Sequence, residues 1–248
     1  MAELRQNTQG DNRSSPVQVP GTTWSANFDA SNDNRFAIKT DGTLWSWGYN
    51  GIGQLGVNNK TQYSSPVQIP GTTWSKVDAG DATTMAVKTD GTLWSWGYNN
   101  MGQLAQNNTT QRSSPIQIPG TTWSMAASRG FFSIALKTDG TMWAWGKNHK
   151  GQLGLNSVTS PTNHGLSSPV QVPGTTWSHI EVTNKDESYA LKTDGTLWSW
   201  GNGGDGRLGH DNETEYSSPV QVGSDTSWYS IKTGGSGGNG GVLAIKQA

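Results

Sequence analysis

Residues 37–48 read Ala-Ile-Lys-Thr-Asp-Gly-Thr-Leu-Trp-Ser-Trp-Gly, and nearly the same stretch returns at 86–97, 135–146 and 190–201. A shortened echo, Leu243-Ala244-Ile245-Lys246, follows near the C-terminal end. A chain that repeats one short hairpin must bury each copy against the next, which restricts it to stacked or radially arranged sheets. Asp-Gly between two alternating apolar runs predicts a two-residue type I′ turn. In that register Ile38 opposes Trp45, Ala37 opposes Ser46 and Phe36 opposes Trp47. One face then carries Phe36, Ile38, Trp45 and Trp47, and the other carries Ala37, Lys39, Leu44 and Ser46. Such a sheet stacks on a copy of itself, Trp over Ala and Ser.

The wider unit is set by Ser-Ser-Pro at Pro16, Pro66, Pro115, Pro169 and Pro219, in steps of 50, 49, 54 and 50 residues. A Trp follows each time, at Trp24, Trp74, Trp123, Trp177 and Trp228, and the longer step is an insertion within 156–166. Each unit reads as four strands. Strand A is Pro-Val-Gln-Val/Ile, and Pro-Gly-Thr-Thr turns it into strand B, which starts at the Trp. A variable loop leads to strand C, and the Asp-Gly turn leads to strand D. The expectation is a single all-β domain over 1–248, a β-propeller of about five four-stranded blades. The repeats run over 14–63, 64–112, 113–166, 167–216, and 217–248 with 1–13. The last unit lacks its Leu-Trp-Ser-Trp-Gly strand, and residues 2–5 are the candidate to complete it. The competing arrangement is an open arc whose unfinished edge pairs with another subunit.

All 13 Trp fall at repeat positions, so their abundance is architectural. A net charge of −1 with 14% charged residues argues against electrostatic binding to nucleic acid or to an anionic membrane. There is no apolar run long enough to span a bilayer and no secretory h-region behind Met1.

Trp-Gly-Tyr-Asn-Gly-Ile-Gly-Gln-Leu-Gly at 47–56, preceded by Ala-Ile-Lys-Thr-Asp-Gly-Thr-Leu-Trp-Ser, resembles the repeat of the regulator of chromosome condensation (RCC1) family. The resemblance implies a β-propeller, and the wording of the repeats looks like the bacterial and phage branch. The best-known member has seven blades and this chain offers five. The family's Gly-x-x-His-Ser segment is Gly80-Asp81-Ala82-Thr83-Thr84 here and spans 129–133 in the third unit, so its His is missing. A basic chromatin-binding surface has no counterpart either, and nucleotide exchange on a small GTPase is not carried over.

No catalytic constellation emerges, and the chain reads as a non-enzyme without cofactor or metal. His149, His164, His179 and His210 lack metal-ligand spacing. Asp41, Asp90, Asp139 and Asp194 each precede Gly in a turn, where Asp is a structural choice. The copies differ instead in their loops. Strand order puts the A–B and C–D turns, which are nearly invariant, at one end. The B–C loops (29–35, 78–84, 128–132, 183–188 and 234–241) and the D–A loops lie at the other. Loops on a rigid scaffold commonly carry recognition, so the expected partner-binding residues are Arg35, Arg129, Phe131, Phe132, Lys185, Thr162, Asn163 and His164. Of the adjacent pair Phe131 and Phe132, one is expected to point outward. The function expected is a non-catalytic interaction module, a structural or adsorption component of a phage virion or bacterial surface that binds a protein partner. A glycan-binding lectin with Trp or Tyr platforms is the alternative, and a propeller hydrolase with carboxylates near the axis trails both.

Overall fold

A computed structural model describes residues 18–31, 33–160, 164–233 and 242–247. The first blade consists of β1 (Trp24–Ala30), β2 (Asn34–Lys39), β3 (Leu44–Gly48) and β4 (Tyr63–Gln68). The second is β5 (Trp74–Ala79), β6 (Thr83–Lys88), β7 (Leu93–Gly97) and β8 (Arg112–Ile118). The third is β9 (Trp123–Arg129), β10 (Phe132–Lys137), β11 (Met142–Gly146) and β12 (Leu166–Val172). β13 (Trp177–Val182), β14 (Glu187–Lys192), β15 (Leu197–Gly201) and β16 (Tyr216–Gln221) form the fourth, and β17 (Trp228–Thr233) with β18 (Val242–Lys246) the fifth. A 3-10 turn at Gly204–Gly206 is the sole helical element among the described residues. The fold is the all-β propeller expected. The strands that begin at the five Trp lie innermost, and each packs beside the next from β1 through β17. Residues 2–5, proposed to complete the last blade, lie outside the described residues.

Two expectations need correction, each for a local reason. The first concerns which sheet owns the Ser-Ser-Pro strand. Val67 opposes Ser46 and Gln68 opposes Trp45, so β4 closes the sheet of the preceding hairpin and does not pair with the Trp strand that follows it. Pro-Gly-Thr-Thr is therefore the link between blades, and sequence repeat and blade are offset by one strand. Proline, which cannot donate to a ladder, explains the placement: Pro66, Pro115, Pro169 and Pro219 all sit on strands with one free edge.

The second correction is the hairpin register. The loop has three residues, 40–42: Gly42 N–H donates to Lys39 O at 2.9 Å, and Lys39 N–H donates to Thr43 O at 2.9 Å. Gly42 sits at φ +78°, closing a type I turn with a left-handed residue. The Asp41 carboxylate accepts from both the N–H and the hydroxyl of Thr43, at 2.9 and 2.7 Å, which holds this longer loop in place. Ile38 thus opposes Leu44, Ala37 opposes Trp45 and Phe36 opposes Ser46. A slip of one residue moves strand D to the other face of the hairpin. Phe36, Ile38 and Leu44 share one face, and Ala37 and Trp47 share the other.

This partition builds the core. The Phe36, Ile38 and Leu44 face packs against Trp74, Ala86 and Trp96 of the second blade. Met85, Val87 and Leu93 meet Trp123, Ala135 and Trp145 in the same way. Ile134, Leu136 and Met142 meet Trp177, Ala190 and Trp200. Trp therefore fills the space beside its own Ala and covers the aliphatic back of the neighbouring blade. Trp96, Trp145 and Trp200 are completely buried.

Candidate functional site

The two ends of the blades are built differently. At the Asp-Gly end the turn side chains have local tasks. Thr40 N–H donates to Thr23 O, and Trp74 N–H donates to Gly42 O, so each turn is wedged between two inter-blade links. Lys39 lies 5.0 Å from the ring of Trp24 and 4.3 Å from that of Trp45, a sandwich repeated by Lys88, Lys137 and Lys192.

At the opposite end the backbone is equally fixed while the side chains change. The glycine ending strand D has positive φ in all four complete blades, at Gly48, Gly97, Gly146 and Gly201. A Cβ on Gly97 would lie 2.2 Å from Ala82 O in the B–C loop. The following N–H donates to that same carbonyl: Tyr49 to Asp33, Tyr98 to Ala82, Lys147 to Phe131 and Asn202 to Asp186, at 2.9–3.1 Å. The Gly-Gln-Leu-Gly turn then reaches across to the next blade. Gln54 O accepts from Trp96 Nε1 at 2.9 Å and Thr84 Oγ1 at 3.0 Å, and Gln103 and Gln152 do the same for Trp145 with Ser133 and Trp200 with Ser188. Loops B–C and D–A are thus stapled into one surface.

The expected contact residues separate on this surface. Phe131 projects, 39% exposed, with its ring 6.0 Å from Tyr98, whereas Phe132 is fully buried and belongs to the core. Tyr49, which the sequence reading passed over, is 43% exposed at the corresponding D–A position of the first blade. Gly130, beside Phe131, approaches the Asn184 backbone, which joins the B–C loops of the third and fourth blades next to Lys185. Arg35 is half-buried and donates to Ser31 O and Asn34 O. His164 is exposed, and Thr162 and Asn163 lie outside the described residues.

Arg129 belongs to a strand rather than to the B–C loop. It ends β9 at the axis, where its side chain is 18% exposed and lies 3.9 Å from Asp29 and 3.8 Å from Asp78. It also donates to Ala79 O and Ser128 O. Asp29 Oδ2 accepts from Ala79 N–H at 2.7 Å, and Asp78 Oδ1 accepts from Ser128 N–H at 2.6 Å. Burial raises the Asp78 carboxyl to about 7 against the pull of Arg129. On the far side Glu181 accepts from Lys232 Nζ and Thr233 Oγ1, both at 3.0 Å. Burial opposes ionisation of Glu181, but His179 3.6 Å away and the bonds from Lys232 and Thr233 hold its pKa below the usual range. These charges line an axial cavity of about 310 Å³. The signal was present in the sequence: Asp78, Glu181 and Lys232 each stand four residues after the strand-B Trp.

The fourth blade departs from the pattern. Arg207 O accepts from Tyr189 of its own blade, at 2.8 Å, rather than from a Trp of the next. Glu187, completely buried, meets Thr183 and lies 3.4 Å from Arg207. Burial raises its pKa to about 7 in spite of that guanidinium. Ser199 lies 2.9 Å from His210 Nε2, a pairing with the outline of a nucleophile and its base. Its hydroxyl donates to Leu208 O at 2.7 Å, as Ser46 does to Leu55 O and Ser95 to Leu104 O, and Ser199 is fully buried. The hydroxyl is a structural clip. Among the described residues no group of three or more His, Cys, Asp or Glu is placed to hold a metal ion.

Radial four-stranded sheets, the first three each clipped to the next through a Gly-Gln-Leu turn and a Trp, define a tandem-repeat β-propeller. The regulator of chromosome condensation (RCC1) repeat matches residues 41–87, 90–136, 139–182 and 194–238, most of the chain, and the protein belongs to that family. Among solved structures it is similar to human WBSCR16, with 20% identity and a TM-score of 0.81 over 98% of this chain and 65% of that one. Prp20p from Saccharomyces cerevisiae is similar at 17% identity and a TM-score of 0.80, over 95% of this chain and 60% of that one. Yeast RCC1 (Prp20) bound to Kap60 gives 18% identity, a TM-score of 0.80, and coverage of 95% and 57%. The chain thus spans less than two thirds of the length of each. No curated protein sequence matches it.

Proposed function

We propose that the protein is a non-catalytic interaction module that binds a protein partner through the B–C and D–A loop end, with Phe131 at the centre of the contact. The observation that carries this reading is a large aromatic side chain, 39% exposed, on a backbone held at both sides. Phe131 O accepts from Lys147 N–H, and the Phe131 ring leans on Tyr98. Exposed aromatics on rigid supports are what partner hot spots favour, because little side-chain freedom remains to be lost on binding. The partner class has support from relatives: Prp20p is described by its binding to Gsp1p and histones, and yeast RCC1 has been solved bound to Kap60. The near-neutral charge of this chain points to a different partner chemistry from histones. A structural or adsorption component of a phage virion or bacterial surface fits a low charge and a surface rich in Ser, Thr, Asn and Gly.

The lectin reading is weaker because its platforms are engaged. Trp74, Trp123 and Trp177 are at most 3% exposed, and a Lys ammonium lies over the ring of each of Trp94, Trp143 and Trp198. The test is a comparison of the wild type with Phe131→Ala and Tyr49→Ala in affinity capture from host and virion extracts, beside a glycan array. Partners lost from the Phe131→Ala variant support the proposal. A saturable sugar signal that survives Phe131→Ala overturns it.

A further inference from the structure

The Asp-Gly step occurs at Asp41, Asp90, Asp139, Asp194 and Asp205, and the last is built unlike the others. Glycine carries no side chain to shield its own N–H, which lies beside the aspartate carboxyl group. In the four hairpin copies the carboxylate accepts from the N–H and the hydroxyl of the following Thr, at 2.6–3.0 Å. The glycine N–H donates to the preceding Lys carbonyl at 2.9–3.1 Å. These turns are also wedged: a Cβ on Gly42, Gly91 or Gly140 would lie 3.1 Å from the backbone N of Thr73, Thr122 or Thr176. Asp205 has no such clip. Its carboxylate is bonded to Arg207, a guanidinium it shares with Glu187, and its side chain is 78% exposed. Gly206 N–H donates to Gly203 O at 3.1 Å within a single 3-10 turn, and a Cβ on Gly206 would meet nothing within 4 Å. Asp205 itself stands at φ +58°, a left-handed conformation that is costly for a residue with a side chain.

We propose that Asp205 is a site of spontaneous isomerisation to isoaspartate. The Gly206 nitrogen attacks Cγ of Asp205 and forms a new C–N bond. The Cγ–OH bond breaks, and the hydroxyl leaves with the amide proton as water, closing a cyclic imide. Water then adds back at either imide carbonyl. Cleavage of the bond from nitrogen to Cγ regenerates aspartate. Cleavage of the bond to the main-chain carbonyl carbon leaves the chain running through Cγ, with the α-carboxylate free. Mass and charge are unchanged, and no oxidant or cofactor enters. The longer link also escapes the left-handed restriction at residue 205. The same turn sets Arg207, whose guanidinium lies 3.4 Å from buried Glu187 and whose carbonyl accepts from the Tyr189 hydroxyl. Isomerisation therefore loosens this loop of the fourth blade. Asn-Gly steps form the same imide with loss of ammonia, but two of them are held. Asn50 is completely buried and bonds Asn59 O, Thr61 O and Leu55 N–H. Asn202 bonds Lys185 O and Gly204 N–H, and a Cβ on Gly203 would lie 2.0 Å from Thr214 O. Asn239-Gly240 lies outside the described residues.

The test is to age the full chain for weeks near neutral pH, beside a sample aged in denaturant. Isoaspartate is then located by electron-transfer fragmentation of the peptides, and deamidation is told apart by its change in mass. In the folded chain isoaspartate is expected at 205 at a level about tenfold or more above each of 41, 90, 139 and 194. That factor is what one bond to a charged group imposes on a rate when it must first be broken. In denaturant the five sites should converge, because the clips are gone. Gly206→Ala, which adds bulk beside the attacking nitrogen, should slow accumulation at 205. Amide exchange at 203–209 should be faster in the isomerised chain than in the fresh one. A folded chain without isoaspartate at 205, or with as much at the four clipped sites, overturns the proposal. So does a Gly206→Ala variant that accumulates it at the wild-type rate. Equal exchange at 203–209 before and after isomerisation overturns the loosening of the loop.

Discussion

The Asp-Gly end and the loop end have nearly the same backbone discipline and opposite side-chain fates. At the first, Asp41 holds Thr43, Thr43 holds the Trp45 indole, and Lys39 covers two Trp rings, so these polar groups are used inside the repeat. At the second, a positive-φ glycine and one carbonyl fix the loops, and neither constrains what projects from them. The same scaffold therefore tolerates Asp33, Ala82, Phe131 and Asp186 at one position. Diversity collects where the main chain alone carries the structure.

The largest effect should come from the shared part of the loop end. Trp145→Ala removes a fully buried indole and the donor to Gln103 O, and should cost about 3–5 kcal/mol in denaturant unfolding. A loss comparable to that of a surface substitution would mean that the blades do not depend on this clip.

Arg129→Ala comes next. It leaves Asp29 and Asp78 facing each other without a cation, and should lower stability by about 2–3 kcal/mol, less than a fully buried pair because the groups keep some solvent. Restoration by Lys would show that charge alone suffices, whereas Arg bonds two backbone carbonyls that a Lys does not span together.

Glu187→Gln should be smaller, and its sign depends on pH. The folded-state pKa of Glu187 lies above the ordinary glutamate value of 4.5, at about 7. The folded protein therefore holds its proton more tightly, and stability is lost as pH rises from 4.5 towards 7. The glutamine variant should melt higher than the wild type at pH 8, by about 1–3 kcal/mol, and equal it near pH 4. The four turn aspartates act in the opposite direction. Bonds from Thr43, Thr92, Thr141 and Thr196 hold their pKa values below the usual range, so their contribution is present at neutral pH and fades on acidification. Changing all four to Asn should flatten the acid limb of the melting curve.

Smallest in stability, and most informative about function, is Phe131→Ala. Unfolding should shift by no more than about 0.5 kcal/mol while partner capture is lost. Equal loss on changing residues of the Asp-Gly end would erase the distinction between the ends.

Much of this architecture is legible in the sequence because a repeat exposes its own rules. Five Trp-initiated strands, four hairpins and the invariant turns place the blades without reference to any fold. The loop end is legible too, since variation among copies needs only the copies. Phe131 and Phe132 divide into one exposed and one buried ring as expected, although Phe131 lies in the turn at 130–131 and only Phe132 in β10.

What the sequence determines by itself is the local alphabet: strand, turn, period, and which end varies. Tertiary structure decided the rest. Asp-Gly permits both a two-residue and a three-residue loop, and Asp41 bonding Thr43, with the turn wedged between two links, selects the longer one and thereby the face of the strand-D Trp. Whether Ser-Ser-Pro closes the blade before it or opens the one after it depends on which edge a proline can occupy, a property of the assembled sheet. Arg129 sits in a variable loop by its sequence and at the axis by its coordinates, because Asp29 and Asp78 reach it from two other blades, 100 and 51 residues earlier in the chain. Only the arrangement of these neighbouring blades about a common axis brings those charges within 4 Å.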